Sequence, residues 1–272
     1  MTERPTLDAL RCRVHKDRHR EIGNWPARRL ARPSAVYGTW LAVRLGLSAH
    51  QVTALAIAAS LGGAGAIATG TRFGFVAGVV TLVLAFWLDH VDGQVARWRG
   101  TASLGGVYLD YLMHHVAALS LGFGLGHGLA TRTADPRWSI AGFAIALGWT
   151  CLSLHNDCKY KAFFQRLKRE TCRYRVVGGS GGRPAPAPRW PRVGLGILTW
   201  PAYKSCEPHV VLAALIVLAI LAIFDPTAWL QLWRQGVLGM AILAPLLAIG
   251  RSMRAITRHT IETEFDRWFQ PW

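Results

Sequence analysis

Six long apolar runs leave this chain few ways to fold. They fall near 50–70, 73–92, 105–129, 138–156, 207–224 and 229–250. Each is close to the roughly 20 residues that a helix needs to cross the hydrocarbon core of a bilayer. Inside lipid a spanning segment must satisfy its own backbone N–H and C=O groups, so runs of this length read as helices. The expected fold class is all-α: a polytopic membrane protein with six transmembrane helices. The second and third runs carry aspartates toward one end, and the sixth has Arg234 near its start. Ahead of the first, the stretch 34–47 sets apolar residues around Arg44 and reads as an N-terminal amphipathic helix lying in the interface.

Charge placement orients these spans. Of the 31 Lys and Arg residues, 27 fall on one side of the alternating loops, and only Arg72, Arg132, Arg137 and Arg234 fall on the other. A bias of that size follows the positive-inside rule and puts both termini in the cytoplasm. It also accounts for a composition that is 51% hydrophobic yet carries a net charge of +16, which a soluble domain seldom combines. A nucleic-acid partner is not expected, because the basic residues are segregated between apolar runs instead of forming one patch. The chain therefore divides into a basic cytoplasmic arm (1–33), a six-helix membrane domain (34–250, with a cytoplasmic loop at 157–206) and a basic cytoplasmic tail (251–272). Within the loop, KYKAFFQRLKRE mixes basic and aromatic residues at helical spacing, as a continuation of the fourth span resting on anionic headgroups would. The Gly- and Pro-rich stretch 176–196 reads as a linker. Five cysteines without a C-x2-C pair suggest neither a zinc site nor a disulfide framework, and residues 1–34 hold no apolar segment of the secretory type.

Chemistry concentrates in residues 89–114, DHVDGQVARWRGTASLGGVYLDYLMH. Asp89 and Asp92 are three apart at the cytoplasmic end of the second span and share a helix face, which Gly93, Ala96 and Arg97 continue. In the third span Gly106, Asp110 and His114 follow at intervals of four. Two facing helices would bring three carboxylates and an imidazole to one point. An aspartate near mid-membrane carries a penalty of roughly 2.5–3.5 kcal/mol, less at the interface, and three carboxylates repel one another. Divalent cations remove both problems, and hard oxygen donors suit Mg²⁺ or Mn²⁺. A pair of such ions could clamp a pyrophosphate. The bare faces of Gly93, Ala96 and Gly106 would admit a nucleotide, and Arg97 could neutralise a phosphate oxygen.

This segment resembles the CDP-alcohol phosphatidyltransferase family, whose signature is D-x2-D-G-x2-A-R-x8-G-x3-D-x3-D. Asp89, Asp92, Gly93, Ala96, Arg97, Gly106 and Asp110 fill seven of its eight fixed positions with every gap in register. The stretch LGLSAHQVTALAIAASL is also similar to the usual start of the family's first span. The resemblance implies an enzyme that moves a phosphate-linked group from a CDP-linked donor, CDP-diacylglycerol, to an alcohol acceptor with release of CMP, in phospholipid biosynthesis. It implies metal binding by Asp89, Asp92 and Asp110, with two divalent cations, and CDP contact by Gly93, Ala96, Arg97 and Gly106. It places the site on the cytoplasmic face of the membrane lipid and is compatible with a homodimer.

The eighth position holds His114 where the signature has aspartate. Imidazole can act as general base and can ligate a metal, so His114 is assigned both roles. Two other readings stay open: a soluble CDP-alcohol donor with a lipid or polyol acceptor, and a catalytically degenerate lipid-binding protein. His115 points about 100° away and reads as packing. Asp157 reads as an exposed residue at the end of the fourth span. Glu207 and His209, at the start of the fifth, are even candidates for substrate contact, and Arg44 reads as lipid-facing.

Overall fold

The computed structural model describes residues 6–14, 27–169, 174–176 and 196–271. Helices α1 (Leu7–Arg13) and α2 (Arg32–Arg44) come first, the second entered through a π-helical turn at Ala27–Ala31. The long helices are α3 (Ala49–Ala68), α4 (Arg72–Arg99), α5 (Leu104–Thr133), α6 (Arg137–Arg169), α8 (Pro208–Phe224) and α9 (Pro226–Thr257). Two short helices, α7 (Gly196–Ser205) and α10 (Thr260–Trp268), complete the set. A three-residue antiparallel pairing, β1 (Tyr174–Val176) with β2 (Phe269–Pro271), is the one departure from helix among the described residues.

The six long helices coincide with the six apolar runs to within a few residues at most ends. The largest difference is α6, which runs past the apolar run to Arg169, as the helical spacing of KYKAFFQRLKRE suggested. Four helices (α3, α4, α6 and α9) are long and apolar enough to cross a membrane. A fifth span is reached if Thr199–Ser205 and Pro208–Phe224 count as one, bent by 67°. Large apolar side chains such as Val80, Phe123, Phe143, Ile220 and Leu246 face outward, as lipid contact requires. Helix α2 buries Ala35, Thr39 and Ala42 while exposing Tyr37 and Leu41, which fits the interfacial helix expected there. The linker read over 176–196 lies outside the described residues except for its two end positions, as do Cys172 and most of the arm 1–33.

Small residues decide how the long helices meet. A Cβ on Gly78 of α4 would sit 2.5 Å from the Gly63 carbonyl of α3, and one on Gly124 of α5 would sit 2.6 Å from the Ala64 carbonyl of α3. Between α5 and α6, a Cβ on Gly122 would sit 2.6 Å from the Ala146 nitrogen. Such backbone approach is the usual basis of helix association in lipid, where burial of apolar surface gives little advantage. The largest core cluster lies in the same half of the bundle, with Phe75 against Trp229 and Trp233 at 5.5 and 4.7 Å. Helix α3 packs along both α4 and α5, while α4 and α5 hardly touch each other. The bundle is therefore tight at one end, and its α4 and α5 stand apart at the other.

Candidate active site

Spacing along the chain fixes the depth of the site. Helix α4 ends at Gly100, whose φ of 65° is left-handed and suits glycine, with the Thr101 N–H donating to the Ala96 carbonyl at 3.0 Å. Three residues later Ser103 caps α5, its Oγ accepting from the Gly106 N–H at 3.1 Å. Asp89 lies eleven residues before Gly100 and His114 eleven after Ser103. At 1.5 Å per residue, each is about 16 Å along its helix from the turn. The two side chains thus face each other across the gap at one level.

Asp89, Asp110 and His114 converge there, with one ligand atom from each within 4.8 Å of the others. His114 Nε2 lies 3.6 Å from Asp110 Oδ1 and 3.9 Å from Asp89 Oδ1. The donor set, two carboxylates and an imidazole, could hold a metal ion, and its carboxylates suit a hard divalent cation. Asp92 sits apart from this trio. It is 8% exposed and accepts a hydrogen bond from Thr53 Oγ1 of α3 at 2.6 Å, but it lies within electrostatic reach of Asp110 and His114. All four line one cavity of about 1370 Å³, together with Gly93, Ala96, Arg97 and Gly106.

The positions expected to contact CDP line this cavity. Arg97 Nε donates to the Val14 carbonyl at 3.1 Å, just beyond α1. A Cβ on Gly93 would lie 3.2 Å from Arg97 Nη1, so the guanidinium crosses the bare face of that glycine. At Gly106 a Cβ would meet only Ser103 Oγ and His50 Nε2, at 3.5 and 3.8 Å. Away from this polar end the walls turn apolar, with Leu82, Phe86, Leu121, Trp149 and Leu212.

Residues 47–155 match the family model described as CDP-alcohol phosphatidyltransferase. The likeness to that family therefore rests on this segment. It holds all seven matched signature positions, His114 in the eighth, and helices α3 to α5 with most of α6. No curated protein matches the chain. Among solved structures it is similar to the phosphatidylinositol phosphate synthase of Mycobacterium tuberculosis with CDP-DAG bound. That likeness has 21% identity and a TM-score of 0.48, and covers 86% of this chain and 94% of that one.

The cavity also takes in His90 and Arg251, which the sequence did not single out. His90 Nδ1 lies 3.0 Å from the Phe86 carbonyl and 3.6 Å from Asp89 Oδ2. His115, expected to pack, instead pairs through Nε2 with Asp157 Oδ2 at 2.7 Å. Asp157 is accordingly half-buried and lines the cavity instead of ending a helix in solvent. Glu207 and His209 line it too. Glu207 Oε1 accepts from Lys204 Nζ at 2.6 Å, and its Oε2 lies 3.4 Å from His209 Nε2. Arg251 of α9 reaches the same space and donates to Asn156 Oδ1 at 2.9 Å. Arg44 is not part of it: its guanidinium stacks on Trp40, 3.8 Å from the ring centre.

Proposed function

We propose that this chain is an integral-membrane phosphotransferase of phospholipid biosynthesis that uses CDP-diacylglycerol as donor, an alcohol as acceptor, and a site at the cytoplasmic face. The observation that carries the reading is the convergence of Asp89, Asp110 and His114 at the polar end of a cavity whose far walls are apolar. A donor with a charged diphosphate and two acyl chains needs both kinds of wall in one space. The cytoplasmic placement is supported by the 27-to-4 division of basic residues, and both termini go to the same side.

Asp89 and Asp110 would hold a divalent cation, with Asp92 completing the set for a second, which leaves the His114 lone pair for proton transfer. Bound Mg²⁺ or Mn²⁺ supplies Lewis-acid stabilisation of negative charge on the diphosphate oxygens. The chain's own groups do the rest. Gly93, Ala96 and Gly106 leave room for the cytidine and its phosphate, and Arg97 pairs with a phosphate oxygen. His114 takes the proton from the acceptor hydroxyl, and its neighbouring carboxylates stabilise the imidazolium that results. The acceptor oxygen then forms a bond to the phosphorus that carries the diacylglycerol. The bridging P–O bond breaks, and its electron pair leaves with CMP. No charge is lost or gained.

The test is release of CMP. Purified protein with Mg²⁺ or Mn²⁺ and CDP-diacylglycerol is expected to release CMP once the correct alcohol is supplied, and Asp89→Asn and Asp110→Asn are each expected to abolish it. A broad panel of CDP-linked donors and alcohols that yields no CMP, from protein that still binds Mn²⁺, would refute the reading.

A further inference from the structure

We propose that Arg32, at the start of α2, is a second guanidinium of the donor site and seats the donor diphosphate together with Arg97; this rests on the functional reading above. Arg32 lies outside the matched domain, yet it lines the same cavity as Gly93 and Arg97. Burial lowers its proton affinity, Arg97 lowers it further, and Asp89 acts the other way. Arg32 and Arg97 are half-buried guanidiniums lining one cavity beside the carboxylate cluster. An anion with two charged groups matches two such forks.

Helix α2 holds Arg32 there through contacts on the signature itself. Gln94, between Asp92 and Arg97, is 4% exposed. Its Nε2 donates to the Arg32 carbonyl at 3.0 Å, and its Oε1 accepts from Thr39 Oγ1 at 2.9 Å. Two turns back on α4, Trp87 Nε1 donates to Ser34 Oγ at 3.0 Å. These bonds clamp both ends of the first two turns of α2 onto the turns of α4 that carry Gly93 and Arg97. Arg97 is pinned at Nε by Val14, which leaves its terminal nitrogens over Gly93. Arg32 supplies the opposing fork, and a planar guanidinium pairs two phosphate oxygens at once where an ammonium cannot.

The experiment measures binding of CDP and of cytidine, with Mg²⁺, to the full-length purified chain and to Arg32→Gln, with melting temperature as the folding control. CDP carries the diphosphate and cytidine does not. Arg32→Gln is expected to weaken CDP about tenfold or more, the effect of losing a charge-assisted pair, and to leave cytidine unchanged. Arg32→Lys keeps the charge without the fork, so its expected loss is smaller and again confined to CDP; it carries the test if the glutamine variant does not fold. Equal weakening of CDP and cytidine, or undiminished CDP binding in both variants, would overturn the inference alone. Absence of CDP binding by the unaltered chain would overturn the functional reading and the inference with it.

Discussion

Thr53→Val removes one hydroxyl from the site at nearly constant shape, and its effect can be worked from the geometry. Thr53 Oγ1 has a single proton and two acceptors in range, Asp92 Oδ2 at 2.6 Å and the Ala49 carbonyl at 3.1 Å. The shorter contact and the carboxylate charge direct the proton to Asp92. A hydrogen bond to a charged group contributes about 1.5–3 kcal/mol net, or a factor of roughly 10 to 150 in an equilibrium constant at 1.36 kcal/mol per decade. The hydroxyl reaches Asp92 from α3, so its loss leaves that carboxylate oxygen without its side-chain donor. The bond fixes the carboxylate that the reading assigns to metal, and loss of such an orienting partner typically lowers metal affinity about 10- to 100-fold. The assay is CMP release against Mn²⁺ concentration. Half-saturation is expected to move up by about that factor, with the rate at saturating Mn²⁺ much less affected, and Thr53→Ser is expected to behave like the parent. An unchanged Mn²⁺ dependence in Thr53→Val, at unchanged melting temperature, would refute the argument that Thr53 orients a metal-binding carboxylate.

Three further outcomes are expected. His114→Ala should reduce CMP release by about 10²-fold or more as a lost general base, while His114→Asp restores the family's pattern and should keep measurable activity with a changed preference between Mg²⁺ and Mn²⁺. Gly122→Val places atoms 2.6–3.0 Å from Ala146, so the α5–α6 crossing must open; a loss of about 1–3 kcal/mol is expected from overpacking, read as a lowered melting temperature in detergent. A reporter that fluoresces only in the cytoplasm should be bright when fused to either terminus and dark when inserted at 134–135, the α5–α6 turn.

The architecture was legible where the determinant is periodic. Apolar runs of spanning length locate the six long helices, and the intervals Asp89–Asp92 and Gly106–Asp110–His114 set faces that the structure turns toward one cavity. What sequence spacing misses comes from other helices. Thr53 reaches Asp92 across 39 residues and Asp157 reaches His115 across 42, and no local pattern encodes either pair. The reading of Asp157 as exposed failed because the carboxylate turns toward α5 and pairs with His115 at the cavity wall. The expectation that the two signature helices face each other holds only at the level of the site. Along their length they are bridged by α3, a third element that the spacing within 89–114 could not reveal. A better signal was present in Gly63, Ala64, Gly78, Gly122 and Gly124, whose lack of bulk marks where helices approach closely.

That distribution of small residues explains why the charged groups can sit where they do. A bundle packed closely from end to end would force Asp89, Asp92 and Asp110 into a dry interface, where uncompensated carboxylates are strongly unfavourable. The close backbone approaches at Gly63, Gly78 and Gly124 lie instead in the half away from the aspartates, and the aromatic cluster of Phe75, Trp229 and Trp233 stabilises the same half. The other half is free to stay open without weakening the whole. Helix α3 then acts as the shared wall: its start is fixed by the capping box of Ser48 and Gln51, and one turn later Thr53 meets Asp92. The width of the gap between Asp89 and Asp110 is thus set by a helix that contributes no residue to the signature. Changes to α3 should therefore tune the metal site without touching a ligand, which is why Thr53 is a more discriminating probe of the mechanism than any of the aspartates.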